Sequence, residues 1–273
     1  MTVGTTPIVQ SHSHVCVLHH GESSRHPVVL QWVREGLADG QGVVLVEPKR
    51  TAEAFVEELG ADGDGVVVMP PDTAFAMDDD GEPAVLRAVE RNGGSDARGS
   101  ARAVRRLTSP ATHALAWFDD DLERYLRFET RLEELCTRTG IAALCHYDQV
   151  ALDQEVIARA AAAHEIVVQL DDLALPTLDL RPVAGGIRAS GEIDAANASI
   201  VVSWMTRHRG APLVVDCSTL TFVDVAGLRA LITYASEEAP ITLALVNGAP
   251  RKLTSVLADD LAAMHVTTRD AAG

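Results

Sequence analysis

Short apolar runs alternate with helical patterns along most of the chain, and this alternation restricts the fold more than any other feature. The runs are rich in Val, Leu and Ile, and the segments between them carry apolar residues at helical spacing. Strands are predicted at 14–20, 43–48, 65–71, 113–119, 141–148, 165–170, 186–193, 212–218 and 241–248. This order is typical of parallel sheets covered by helices, so the predicted fold class is α/β.

Helices are predicted at 26–40, 51–60, 121–140, 153–164, 195–208, 226–236 and 250–260. Two segments interrupt the pattern. Residues 77–110 hold an acidic run and the piece ERNGGSDARGS, whose composition predicts a mobile loop or lid. Residues 171–182 hold acidic residues and two prolines, which predict a junction between domains 1–172 and 173–273. The arginines of the first segment are interpreted as a solvated face, with an anion clamp as the alternative: Arg91, Arg98, Arg102, Arg105 and Arg106.

The charge of the chain restricts its partners. A formal net charge of -16 disfavours nucleic acid and anionic lipid headgroups, so neither nucleic acid nor membrane is expected as a partner. The start MTVGTTPIVQSHS lacks the basic and apolar regions of a signal peptide, which favours a cytoplasmic location. The cysteines lie in or beside apolar segments and are interpreted as buried, reduced thiols: Cys16, Cys136, Cys145 and Cys217.

Three pieces of the second half carry a family resemblance: SGEIDAANA (190–198), LVVDCSTLTFVDVAGLRALI (213–232) and ITLALVNGAPRKLTSVL (241–257). In order and spacing this region resembles a STAS domain, the fold of bacterial anti-sigma factor antagonists and of the cytoplasmic tail of sulfate transporters. The resemblance implies a small α/β domain that binds an anti-sigma factor or a serine kinase-like regulator.

The turn before the 226–236 helix is the expected partner surface. Asp224 stands where a helix N-cap belongs, and Gly227 has no side chain to keep a partner's backbone away. In regulated STAS domains the residue before this glycine is a phosphorylated Ser or Thr, but here it is Ala226. Phosphorylation at that position is therefore not expected. The predicted partner-binding residues are Asp194, Asp224, Val225, Ala226, Gly227 and Leu228.

Hydroxyl groups near this turn leave an alternative open. Ser218, Thr219 and Thr221 could accept a phosphoryl group in place of the missing one. Residues of this kind in turns more often bond the local backbone, and that is the interpretation we favour.

The first half contains three pieces that occur in the order of a known domain, and His164 before a strand fits the same pattern: HVCVLHHGESSRHPVVLQWVREGLADGQGVVLV (14–46), YLRFETRLEEL (125–135) and LCHYDQ (144–149). With these pieces the first half resembles the MEDS sensory domain, a RecA-like domain of prokaryotic regulators. The resemblance implies a RecA-like parallel sheet with flanking helices that senses a small molecule or a partner.

A nucleotide-hydrolysing version of this fold needs a glycine-rich loop ending in Gly-Lys-Ser/Thr. After the first strand the chain reads GESSRHP (21–27), and neither Lys49 nor Lys252 follows a glycine. Arg25 could imitate the lysine and the helix start could hold an anion. Without the motif, the loop is a degenerate P-loop and no enzyme activity is expected.

A ligand pocket is expected where the parallel strands end. The candidates are His19, His20, Glu22, Arg25, Glu47, Glu129, Tyr147 and Asp148. Zinc binding is an alternative use of the imidazoles and thiols, namely His14, Cys16, His19, His20, Cys145 and His146. Adjacent strand residues face opposite sides, so Cys145 and His146 cannot easily share a site. No metal or cofactor is therefore expected.

The sequence thus predicts a cytoplasmic, non-enzymatic regulator with a ligand-sensing N-terminal domain and a partner-binding STAS domain. Two alternatives stay open. The protein could bind nucleotide and act as a weak NTPase, or it could be a scaffold subunit that forms a homodimer through its STAS domain.

Overall fold

The computed structural model describes residues 14–77, 82–92, 104–246 and 248–271. The chain forms two compact units. The first contains the described residues from 14 to 153 together with 172–174, and the second contains 154–171 and the described residues from 175 to 271. The sequence predicted one boundary after residue 172, whereas the contacts within the units place the segment 154–171 with the second half.

The first unit is a parallel sheet with helices in the connections. Its strands are β1 (His14–His19), β2 (Gly42–Val46), β3 (Val66–Met69), β4 (Val104–Pro110) and β5 (Ala142–Asp148). Its helices are α1 (Glu22–Ala38), α2 (Lys49–Leu59), α3 (Pro71–Ala74), α4 (Ala84–Asn92), α5 (Ala111–Trp117) and α6 (Leu122–Thr139). The strands lie in the order β1-β5-β4-β2-β3, and every pair is parallel.

The second unit is a smaller mixed sheet with helices. Its strands are β6 (Ile166–Leu170), β7 (Pro176–Val183), β8 (Gly186–Ile193), β9 (Leu213–Asp216), β10 (Leu220–Val223), β11 (Ile241–Leu245) and β12 (Val266–Asp270). Its helices are α7 (Gln154–Ala163), α8 (Ala198–Met205), α9 (Val225–Leu231), α10 (Ala249–Val256) and α11 (Ala258–Ala263). The order is β6-β7-β8-β9-β11-β12, with β10 pairing with β8, and only the β6–β7 and β7–β8 pairs are antiparallel. The predicted α/β class is confirmed.

Helix α6 illustrates how local sequence signals and burial agree. The Asp121 carboxylate accepts the Arg124 backbone N–H at 3.0 Å, and Gly140 ends the helix in the left-handed conformation. One face of the helix is buried over its whole length, and it includes an ionisable residue, Glu129. A buried carboxylate is expected to be paired or hydrogen-bonded, so this face does more than fill the core.

The segment 104–119 corrects the sequence analysis. The apolar run 113–119 belongs to helix α5 and not to a strand, because a run this short fits either structure. Strand β4 lies instead inside the segment predicted to be a loop. It can be buried because Arg106 stacks 4.6 Å from the centroid of the Trp32 ring and donates to the Trp32 carbonyl at 2.8 Å. The solvated interpretation is therefore wrong for Arg106.

The piece ERNGGSDARGS (90–100), predicted to be a loop or lid, begins with the last three residues of helix α4, and the rest of it lies outside the described residues. The side chains of Arg91, Arg98, Arg102 and Arg105 are also outside the described part. Two further boundaries differ from the prediction. The predicted junction 171–182 contains most of strand β7, and helix α1 begins at Glu22 and continues through Pro27. All four cysteines are buried and none forms a disulfide. None of the helices in the described part of the chain combines the length and apolarity needed to cross a bilayer.

Candidate functional sites

A small polar cavity lies at the carboxyl ends of the strands of the first unit. Its volume is about 200 Å³. Strands β1, β4 and β5, the end of β2 and the first turns of α1, α2 and α5 bring its residues together. The lining residues are His19, Glu22, Arg25, Glu47, Thr51, Pro110, His113, His146 and Asp148. This is the edge where parallel α/β sheets bind ligands.

Arg25 is the buried cation of this cavity, and two carboxylates engage it. It donates to both Glu22 carboxylate oxygens at 2.8 Å and forms a further short ion pair with Glu47. Burial alone would lower the pKa of Arg25, but the two carboxylates outweigh it and raise that pKa. Burial raises the pKa of Glu47, while the Arg25 charge opposes the shift. The Arg25 guanidinium is therefore ion-paired with carboxylates of the protein itself.

Three histidines give the cavity a neutral, hydrogen-bonding wall. Burial lowers the pKa of His19 to about 4, despite nearby Asp148. Burial, together with the charge of Arg25, also lowers the pKa values of His146 and His113. The imidazoles are therefore uncharged at neutral pH. His146 Nε2 is buried and makes no hydrogen bond within the described part of the chain; Glu47 Oε1 lies 3.6 Å away. A buried polar atom in this position is available to a ligand.

The structure brings together five of the eight predicted pocket residues: His19, Glu22, Arg25, Glu47 and Asp148. His20 is only partly buried, and its Nδ1 lies 3.9 Å from Asp172 Oδ1. Glu129 and Tyr147 are not among the lining residues and lie in a separate buried cluster. Alternation along β5 explains the difference for Tyr147, because positions 145 and 147 face the side opposite to positions 146 and 148.

Sequence reasoning missed Thr51, Pro110, His113 and His146 as lining residues. Alternation on β5 was the available signal for His146, since it separates this residue from Cys145. His113 was hidden because its segment was assigned to a strand and lies in helix α5.

The connection after β1 does not have the length of a phosphate-binding loop. Strand β1 ends at His19 and helix α1 begins at Glu22, so only two residues lie between them. The segment GESSRHP, expected to occupy the place of a P-loop, is mostly the first turn and a half of α1. Arg25 therefore sits on a helix and is held by carboxylates, which corrects the idea that it imitates the P-loop lysine.

The start of helix α9 in the second unit is held by one carboxylate. Asp224 Oδ1 accepts the Gly227 backbone N–H at 2.7 Å, and Oδ2 accepts the Ala195 backbone N–H at 3.2 Å. Asp194 makes a similar local bond, accepting the Ala196 N–H at 2.8 Å. These contacts confirm Asp224 as the N-cap and tie the turn after β8 to the start of α9.

Two apolar side chains beside this turn are exposed. Phe222 and Val225 are 44% and 45% exposed, and Ala226 beside them is half-buried. Gly227 and Leu228 are buried. A Cβ added at Gly227 would lie 2.3 Å from the Ile193 carbonyl oxygen. The expectation that Gly227 makes room for a partner's backbone is therefore wrong, because the protein's own strand β8 fills that space.

The hydroxyl groups of two nearby threonines bond to residues of strand β8, and a third residue, Ser218, bonds locally through its backbone. Thr221 Oγ1 donates to the Gly191 carbonyl at 2.9 Å, and Thr219 Oγ1 lies 2.6 Å from Ser190 Oγ. The Ser218 backbone N–H donates to Asp216 Oδ1 at 3.0 Å. Ala226 itself carries no hydroxyl.

Comparison with known proteins supports both resemblances. A family described as MEDS, "MEthanogen/methylotroph, DcmR Sensory domain", matches residues 13–165. A family described as "Mlab, STAS domain" matches residues 177–260. No curated protein shows significant similarity to the chain. Among solved structures, a KaiC-like protein from the hyperthermophilic archaeon Pyrococcus horikoshii OT3 is similar with 13% identity and a TM-score of 0.42, over 66% of this chain and 78% of that chain.

Proposed function

Since the chain belongs to the MEDS family and also carries a STAS domain, we propose that it is a signalling regulator without enzyme activity. Its first unit binds a small ligand, and its STAS unit binds a protein partner in the cytoplasm. The observation that carries the proposal is the cavity at the strand ends, where a buried imidazole nitrogen of His146 has no hydrogen-bond partner among the described residues.

The cavity favours a small, uncharged polar ligand. Its volume of about 200 Å³ is below the range of drug-sized pockets, roughly 300–1,000 Å³. Three carboxylates, Glu22, Glu47 and Asp148, outnumber the cation Arg25, which disfavours an anion such as a phosphate. Neutral imidazoles can donate to or accept from hydroxyl, carbonyl or amide groups. We therefore favour ligand sensing over nucleotide binding or weak ATP hydrolysis, the alternative class.

The STAS unit offers an apolar surface formed by Phe222, Val225 and Ala226. The expected partner is an anti-sigma factor or a serine kinase-like regulator, as the STAS resemblance implies. Without a hydroxyl at Ala226, a phosphoryl group cannot be added at the position used by regulated STAS domains. Control of partner binding is therefore assigned to ligand binding in the first unit.

Isothermal titration calorimetry of the full chain tests whether the cavity binds a small uncharged polar ligand. The probes are a set of small uncharged polar molecules, such as short alcohols, diols and amides, and ATP with Mg²⁺. We expect binding of at least one uncharged probe that is lost in His146→Ala and retained in the control variant His265→Ala, a residue exposed in the second unit. Tight ATP binding unaffected by His146→Ala would contradict the proposal and favour the nucleotide alternative.

Affinity capture from a native lysate tests the partner proposal. We expect Val225→Asp to lose a protein that the wild type retains, while Val256→Asp retains it, because Val256 is an exposed valine outside the α9 turn. Sedimentation of the purified chain addresses the scaffold alternative. A stable homodimer that Val225→Asp dissociates would assign the apolar surface to self-association.

A further inference from the structure

Three ligand atoms of different chemistry converge in the core of the first unit, away from the cavity. His14 Nε2 from β1 lies 3.1 Å from Glu129 Oε2 of α6. Cys145 Sγ from β5 lies 3.4 Å from His14 Nε2 and 3.5 Å from Glu129 Oε2. All three residues are fully buried. An imidazole, a carboxylate and a thiol therefore form a triangle whose sides differ by less than half an ångström.

The triangle has the dimensions of one face of a tetrahedral zinc site. Zinc–ligand distances of about 2.0–2.1 Å to N or O and about 2.3 Å to S place ligand atoms about 3.3–3.6 Å apart at tetrahedral angles. The three observed distances fall within about 0.2 Å of these values. Only small movements of the side chains would be needed to place an ion at its bonding distance from each of the three atoms.

A second layer of polar groups fixes the orientation of two of these residues. The other ring nitrogen of His14, Nδ1, lies 3.0 Å from Glu133 Oε2. The other carboxylate oxygen of Glu129, Oε1, accepts hydrogen bonds from the Tyr147 hydroxyl at 2.9 Å and from the Tyr125 hydroxyl. A carboxylate behind the histidine and donors behind the carboxylate are the outer-shell partners typical of metal ligands.

From this geometry we propose that His14, Glu129 and Cys145 bind a divalent transition-metal ion of the zinc type. The thiol excludes Mg²⁺ and Ca²⁺, which take oxygen ligands. The mixed nitrogen, oxygen and sulfur set suits Zn²⁺ and leaves one tetrahedral position for a further donor. On binding, the Cys145 thiol gives up its proton to solvent and the metal replaces the proton shared between His14 and Glu129. The ion cross-links helix α6 to strands β1 and β5 through these three ligands. Glu133 acts as a positioning residue for His14.

The first test uses untagged full-length protein and two probes, Zn²⁺ and Co²⁺. We expect about one equivalent of zinc in the purified protein by elemental analysis. We expect cobalt-loaded protein to show a thiolate-to-cobalt charge-transfer band in the near ultraviolet. This measurement on the wild type does not depend on any variant folding. Protein that binds neither ion at stoichiometric concentration, or that binds cobalt without the thiolate band, would overturn the proposal.

Variants then assign the ligands. Cys145→Ser should abolish the cobalt–thiolate band, whereas Cys217→Ser, a buried cysteine of the second unit, should keep it. Glu133→Gln should weaken zinc binding about 10–100-fold, the usual effect of losing an outer-shell partner. Its neighbour Glu134 is exposed, so Glu134→Gln should leave the affinity unchanged. Equal affinity in both glutamine variants, or a band that survives Cys145→Ser, would contradict the site.

Discussion

Removal of the Asp224 carboxylate should destabilise the start of helix α9. The side chain accepts two backbone N–H bonds, at 2.7 Å from Gly227 and at 3.2 Å from Ala195. Loss of an N-cap costs about 0.5–2 kcal/mol, and the second bond to a partly exposed charged group adds to it. We expect Asp224→Ala to lower the free energy of opening this turn by about 2 kcal/mol, which corresponds to about 30-fold faster amide exchange.

The matched variant Asp224→Asn separates the two bonds. Asparagine keeps an oxygen toward Gly227 but presents an NH₂ group toward Ala195, so the expected cost is about 1 kcal/mol, or about fivefold. Hydrogen exchange of the full chain, read on peptides covering 193–198 and 224–231, measures both effects. The capping argument is wrong if the amide exchange rates of Asp224→Ala lie within threefold of those of the wild type. It is also wrong if Asp224→Asn and Asp224→Ala raise these rates equally.

Three further expectations concern other positions. Gly227→Ala should destabilise the second unit by about 1–3 kcal/mol through overpacking, measured by denaturant unfolding, because the new Cβ would overlap strand β8. The pKa of His19 is about 4 in the folded protein and about 6.5 when unfolded, so the unfolded state binds more protons between these values and stability falls as the pH drops. Between pH 7.5 and pH 5, the free energy of unfolding of His19→Asn should therefore fall by about 2 kcal/mol less than that of the wild type. Arg106→Lys should lower the free energy of unfolding by about 2–3 kcal/mol, because a lysine ammonium cannot both stack on the Trp32 ring and keep the hydrogen bonds of the guanidinium. The control Arg34→Lys, at an exposed position, should change the free energy of unfolding little.

The spacing of apolar residues predicted the helices that bury one face along their length. The Leu and aromatic spacing of α6, with Asp121 and Gly140 at its ends, indicates a helix that begins and ends close to where the structure has it. The place of Asp224 before an apolar helix predicts an N-cap, and the structure confirms it. Both predictions succeeded because the information lies within a few residues of the element itself.

Long-range contacts explain the failures. The residues around VRRLTSP (104–110) do not indicate that Arg106 packs on Trp32, and the sequence therefore predicts a loop where the structure has strand β4. The role of Gly227 depends on the approach of Ile193, which lies 34 residues earlier in the chain. Similarly, Glu129 joins His14 and Cys145 only because α6 packs on this part of the sheet, and a sequence pattern restricted to histidine and cysteine spacing could not include it.

The affinity of the captured partner for the purified full chain, measured with and without ATP and Mg²⁺, tests phosphorylation-independent partner binding most directly. We expect the wild type to bind equally well under both conditions. Val225→Asp should bind at least tenfold more weakly, and Val256→Asp should bind like the wild type. Loss of binding on addition of ATP, accompanied by a phosphate on the STAS unit, would contradict phosphorylation-independent binding.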